Sequence, residues 1–204
     1  MEESGTRRDR SAVAQYIQDY LELDRKTLEA LSQKEIHNVA DALLDAYEHE
    51  GTIYICGNGG SASTASHSAN DFNKGISEYV DKKWHFCCLN DNVATLMSIA
   101  NDISYEEVFR FQLRGRLKPH DLVIGISGSG NSANVVNAIR YAKEQGVKTV
   151  GWTGYSGGKV KELADVVFYV PLDNMQVVED MHMILVHLLM NVVQRLYGLP
   201  GHQC

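Results

Sequence analysis

Apolar residues between positions 11 and 31 fall on one helical face, at Val13, Ile17, Tyr20, Leu21, Leu28 and Leu31. This spacing predicts an amphipathic helix whose stripe must be buried against something. Ser32 followed by Glu35 has the form of a capping box. It opens a second helix with Ile36, Val39, Ala40, Leu43, Leu44 and Tyr47 on one face and Gly51 beyond its end. Two helices before any strand suggest a helical extension over residues 1–50 that packs between subunits, followed by one globular unit over 51–204.

Beyond Gly51 the pattern changes. Short apolar runs at 52–56, 83–89, 121–127, 149–153 and 166–170 read as buried strands. A small-residue helix follows the first run, and helical patterns cover 92–100, 105–117, 133–145 and 159–164, with Asn101-Asp102 as a turn between two of them. Asp173 or Asn174 caps a long last helix that runs to about Tyr197, with Gly198 and Pro200 stopping it. Strands alternating with helices imply an α/β fold: a doubly wound parallel sheet covered on both faces. Ligands of such sheets bind at the carboxyl ends of strands, near a switch point.

Two of the predicted strands end in turns rich in small donors. The first turn is Cys56-Gly57-Asn58-Gly59-Gly60-Ser61, continued by Ser63 and Thr64 in the helix. Glycine lets the backbone approach a ligand closely, and a helix N-terminus offers unpaired amides and a positive dipole end to an anion. One to two turns on, His67 and Asp71 stand at i and i+4, so they share a helix face as an acid/base or metal pair. The second turn, Ser127-Gly128-Ser129-Gly130-Asn131-Ser132, suits a phosphomonoester without needing lysine or arginine. A tight βα turn capped by Ser132 would also explain it, less readily when two such turns lie on one sheet. Gly57, Gly59 and Ala62 fit a dinucleotide fingerprint, but Asp91 comes too late for its acidic partner and the second turn is left without a role.

The last helix carries Glu179, Asp180, His182 and His187 in an apolar background. Such groups on a buried helix need partners or a purpose. Helical geometry does not choose among them: Glu179 neighbours His182 at i+3 and lies two turns from His187, and the two histidines diverge by about 140°.

Composition adds limits. The chain has 204 residues, 44% hydrophobic and 22% charged, as in a soluble globular domain. A net charge of −7 argues against a broad nucleic-acid surface, and Arg7, Arg8 and Arg10 read as a frayed basic end. Cys56, Cys87, Cys88 and Cys204 have neither zinc-ribbon nor redox spacing and read as reduced thiols. The start is polar, without a secretory leader, and no apolar run reaches bilayer length. The expectation is a cytoplasmic protein with no nucleic-acid or membrane partner.

With these residues in place, the chain resembles the sugar-isomerase (SIS) domain family, and within it the phosphoheptose isomerases, over nearly its whole length. The resemblance rests on Cys56–Ser61, Ser127–Ser132, Asn101-Asp102, Thr153-Gly154 and the last-helix histidines. It implies a flavodoxin-like three-layer sandwich and conversion of sedoheptulose 7-phosphate to a heptose 7-phosphate through an enediol. It also implies a homotetramer with sites at subunit interfaces and a divalent metal, zinc. By position, His67, Asp71, Glu179 and His187 fall where the family has His, Glu, Gln and His around the metal, with Asp71 and His187 as the acid/base pair. Asn58, Gly59, Ser61, Ser127, Gly128, Ser129 and Ser132 fall on its phosphate turns, and Asn101, Asp102 and Gln176 near the sugar. This alignment makes His187 the histidine that faces the site and His182 a supporting one. The chain departs from the family by Asp71 for Glu, Glu179 for Gln, Gly128 for Thr and Gln176 for Asp, and Lys74 lies one residue before the family's arginine. A non-catalytic phosphosugar sensor, or a scaffold that binds the replication initiator, is the alternative, and would not require the Asp71 carboxylate.

Overall fold

The computed structural model describes residues 10–200. Arg7, Arg8 and Cys204 lie outside them. The strands are β1 (Ile53–Gly57), β2 (Phe86–Cys88), β3 (Leu122–Ser127), β4 (Lys148–Thr153) and β5 (Val166–Tyr169). They form one sheet in the order β2-β1-β3-β4-β5, every pair parallel. The chain leaves β1 to one side for β2 and returns on the other side to β3, so the switch point lies between β1 and β3. Gly57 at the end of β1 pairs with Ile126, one residue before the end of β3, which brings both glycine/serine turns to the same place.

Helices cover both faces. On one lie α2 (Gln33–Glu48), α3 (Gly60–Asn70) and α8 (Met175–Leu196), joined to the sheet through Val39, Leu43, Ala65, Ile55, Ile124 and Leu185. On the other lie α4 (Val93–Asp102), α5 (Arg110–Leu113), α6 (Ala133–Glu144) and α7 (Gly158–Leu163), around Val123, Ile139, Phe109 and Val160. Burial on both faces explains why the strands read as unbroken apolar runs. The α/β three-layer expectation is met.

Of the expected N-terminal extension, α2 is built into this core, while α1 (Val13–Ala30) rests on α8. Tyr20 Oη donates to Asp180 Oδ2, which raises the Tyr20 pKa to about 12. Val13, Tyr16, Ile17 and Leu21 of α1 stay exposed, so the predicted stripe is not covered by its own chain.

Several local expectations change. The Ser32 hydroxyl accepts from Glu35 N at 3.2 Å, but Glu35 Oε2 accepts from Tyr169 N of β5 at 2.9 Å rather than closing the box. The run 83–89 yields only a three-residue edge strand, whose outer edge Asn73 covers by accepting from Phe86 N at 2.8 Å and donating to Phe86 O at 2.9 Å. The helix expected over 105–117 shrinks to a 3₁₀ turn at Tyr105–Glu107 and the single turn of α5, and the chain turns at Gly115, whose φ is +69°. Asn101 and Asp102 are the last turn of α4, not a connection. Asn174, not Asp173, caps α8, accepting from Val177 N at 3.2 Å.

Helix α8 corrects another expectation: it has 22 residues, and an 18-residue stretch within it reaches a mean hydropathy of 1.2, long and apolar enough to cross a membrane by length and composition. Here that apolarity serves the core, where Val177, Val178, Met181, Leu185, Val186, Leu189 and Val193 are buried. The described cysteines are free thiols, and burial pushes Cys56 and Cys88 up, away from the reactive thiolate.

Candidate active site

The β1–α3 turn enters its helix through Gly59 at φ +54°, a conformation that favours glycine. No side chain caps α3. Asn58 braces the turn: its amide and that of Asn134 on α6 exchange hydrogen bonds of 2.8 and 2.9 Å, and Tyr105 Oη donates to Asn58 Oδ1 at 2.9 Å. Asn90 grips Gly57 from the other side, accepting from its amide at 3.2 Å and donating to its carbonyl at 2.8 Å.

The β3–α6 turn is braced in a different way. Gly130, at φ +68°, packs so tightly on the β4–α7 connection that a Cβ there would lie 1.9 Å from the Gly157 carbonyl oxygen. Its own carbonyl accepts from Val160 N at 2.9 Å, and Gly128 O accepts from Gly154 N at 2.8 Å. Ser132 stands at the N-cap of α6, yet its hydroxyl meets Ser127 Oγ at 3.0 Å and caps nothing. Two helices thus begin at the switch point without a side-chain cap, their positive ends toward the space between them.

That space is a cleft of about 270 Å³ lined by Asn58, Gly59, Ser61, Ser127, Gly128, Ser129 and Ser132, together with Gly60, Ile126, Met175 and Glu179. Seven predicted phosphate-site residues therefore meet in one cleft. Asn101, Asp102 and Gln176 do not line it; they are exposed, and Asn101 Nδ2 donates to Asp102 Oδ1 at 2.9 Å. No lysine or arginine lines it among the described residues.

Helices α3 and α8 run side by side away from the cleft. His67 Nε2 lies 3.0 Å from His187 Nε2 and 3.2 Å from Asp71 Oδ2, and His187 Nε2 lies 3.9 Å from the same oxygen. Asp71 opens a stretch of π-helix, Asp71–Ile76, of the kind often found at functional sites. It keeps helical dihedrals (φ −61°, ψ −40°), which preserves the predicted i, i+4 pairing with His67. One ligand atom from each of the three residues lies within 4.8 Å of the other two, a spacing that suits a three-ligand site with an open position.

Glu179 is not gathered with them within one chain. Eight residues before His187, it is about 12 Å away along the helix axis. Its carboxylate lies over Gly60, where a Cβ would come within 2.3 Å of Oε2. His182 faces the other way, 1% exposed, with ring centroids of Trp152 and Phe168 at 6.1 and 6.0 Å. Burial pushes its pKa down to about 4, offset in part by the Thr153 backbone. The sequence reading missed Asn134, Tyr105, Asn90 and Met175, and no motif marks them.

A doubly wound sheet with this pairing of turns has known counterparts. Residues 15–154 match the family described as SIS domain. The chain is 40% identical over 170 residues to the phosphoheptose isomerase of Helicobacter pylori (strain Shi470), covering 83% of this chain and 88% of that protein. It also superposes on solved phosphoheptose isomerases. For the Neisseria gonorrhoeae structure the TM-score is 0.81 at 28% identity, covering 90% of this chain and 97% of that one. For the Francisella tularensis structure it is 0.82 at 25% identity, covering 90% and 96%. The protein is thus of the SIS-domain class. Within that class it belongs to the phosphoheptose isomerase family.

Proposed function

We propose that this protein is an aldose–ketose isomerase that converts sedoheptulose 7-phosphate to heptose 7-phosphate. The observation that carries the reading is the meeting of His187 from α8 with His67 and Asp71 from α3, beside a donor-rich cleft. Seven residues of helix, about 10 Å, separate the α3 N-terminus from His67. An extended sugar phosphate can bridge that gap, with its ester group in the cleft and its carbonyl end at the triad. The hydroxyls of Ser61, Ser127, Ser129 and Ser132 and the uncapped helix ends hold the phosphate, and this remote binding orients the reacting carbons.

Asp71 takes the proton from C1 of the ketose while His187 donates one to O2, giving the enediol. Return of a proton to C2 and loss of the O1 proton then yield the aldose, with no net gain or loss of atoms. Asp71 Oδ2 faces both imidazoles, which leaves Oδ1 to work on the substrate. A divalent ion such as zinc, held by His67, Asp71 and His187, would supply Lewis-acid polarisation of the substrate carbonyl, and the His187 ring nitrogen that does not hold the ion would then be the one that carries the proton. The uncovered apolar stripe of α1 and the exposure of His187 support association of copies with the sites at subunit interfaces, in the homotetramer that the reading includes together with a cytoplasmic location.

The test is incubation of metal-replete protein with five- to seven-carbon ketose phosphates, sedoheptulose 7-phosphate among them, with aldose formation as the readout. Turnover of the seven-carbon substrate above the others is expected. Binding without turnover of any of them would instead identify a phosphosugar sensor or scaffold.

A further inference from the structure

The described residues hold a second carboxylate–imidazole group, at the opposite end of the sheet from the cleft. Asp45 and His49 lie one turn apart at the end of α2, and His120 lies in the turn that leads into β3. One ligand atom from each is within 4.8 Å of the other two, and all three residues are exposed. The imidazoles of His49 and His120 stack with centroids 4.4 Å apart and planes 11° from parallel. His49 Nδ1 meets the Asp45 backbone carbonyl at 2.8 Å and Asp45 Oδ1 at 3.4 Å.

Nothing in the proposed isomerisation uses these side chains, yet the fold sets them firmly. His120 adopts a left-handed φ of +69°, and its carbonyl packs so closely on Gly51 that a Cβ there would lie 2.0 Å from the oxygen. The adjoining Asp121 carboxylate ties the turn down, accepting from Thr52 N and Lys118 N, each at 2.8 Å. The ring of His120 is therefore presented to the end of α2 by a fixed backbone.

We propose that Asp45, His49 and His120 form a second binding site, for a divalent transition metal of the zinc, nickel and copper type. Two borderline imidazole nitrogens with one hard carboxylate oxygen make a donor set that suits these ions, whereas magnesium and calcium take mostly oxygen. The charges around it are mixed: the C-terminus of α2 is here and Asp41 lies one turn earlier on the same face, while Lys82 Nζ donates to the Glu48 carbonyl at 2.8 Å and Lys148 shares a cavity with Asp41 and Asp45. Taking up an ion turns the two exposed rings out of their parallel stack, so that one nitrogen of each points at a common centre. A bound ion clamps the C-terminus of α2 to the turn before β3, joining the outer helix to the amino end of the sheet.

The competing account is that His49 only closes the helix end and His120 stacks on it. Equilibrium dialysis of the full chain against zinc chloride, with bound metal counted per chain, separates the two. The variant His49→Gln/His120→Asn suits the test because asparagine tolerates the left-handed backbone. It is expected to bind one zinc equivalent at least tenfold more weakly while keeping isomerase activity within twofold. The variant His67→Ala/His187→Ala is expected to keep that equivalent. Cobalt(II) added in place of zinc should give visible absorption whose share from the second site is lost in the first variant and kept in the second. Unchanged zinc stoichiometry and affinity in the first variant would overturn the proposal, as would loss of the same equivalent in the second. Asp45→Asn, at a surface position, gives the same readout should the double variant fail to fold.

Discussion

Two groups of one aspartate and two histidines occupy opposite ends of this sheet, and their surroundings separate them. At the carboxyl end, the Asp71 side chain is 14% exposed, with two uncapped helix starts and a cleft nearby. At the amino end, the Asp45 side chain is 65% exposed, on the surface. The same three residue types therefore meet in both places, but only the carboxyl end borders a cleft lined by serine hydroxyls and uncapped helix starts; the cavity of about 440 Å³ beside Asp45 is lined by Asn38, Asp41, Ala42, Lys148 and Val166. A cluster acquires chemistry from what lies beside it, which is why the family's reaction is assigned to one end and a clamp to the other.

The sharpest way to break that contrast is to neutralise each carboxylate. Asp71→Asn is expected to lower kcat by about 10²- to 10⁴-fold, the usual worth of a positioned acid/base, while Asp45→Asn leaves kcat unchanged in the same steady-state assay. Comparable losses in both would erase the distinction.

A third histidine sharpens it from the side of burial. His182 is held neutral in the folded protein down to about pH 4, whereas the unfolded chain protonates it near 6.5. The unfolded state thus binds more protons between those values. Its contribution is complete above pH 6.5, is lost as pH falls toward 4, and amounts to roughly 3 kcal/mol. Urea midpoints measured from pH 7 to 4 should show this acid limb in the parent protein and a shallower one in His182→Phe.

The cleft wall gives a smaller effect. Gly130→Ala places a Cβ against the Gly157 carbonyl at a left-handed φ, and is expected to cost about 2 kcal/mol in thermal or urea unfolding. The smallest effect is electrostatic. Glu179→Gln removes a carboxylate from the cleft that receives the phosphate. It should lower KM for the sugar phosphate roughly threefold to tenfold, as expected for relief of about 1 kcal/mol of repulsion, with kcat little changed.

The carboxyl end was readable because its signals are local. Glycine and serine between an apolar run and a helix mark each turn, and His67 with Asp71 needs only helical spacing. His187 could be chosen over His182 only through the family resemblance, because periodicity cannot say which side of a buried helix faces the sheet. The Asn58–Asn134 exchange joins residues 76 positions apart and leaves no trace in spacing. Glu179 shows the limit most clearly. Its direction depends on what the neighbouring helix presents, and Gly60 presents no side chain, so the carboxylate settles there. The metal-capable group at the amino end was missed for the same reason: His120 is brought to α2 by the tertiary fold alone.

The cleft grips with neutral dipoles, since no lysine or arginine lines it among the described residues, while the whole chain carries a charge of −7. No cationic side chain among the described residues lining the cleft then draws a sugar phosphate in from a distance, and the chain's net charge opposes its arrival. Added salt screens that field but leaves short-range amide and hydroxyl contacts largely intact. Substrate capture should therefore quicken with ionic strength, the reverse of what a site built on cationic side chains would show.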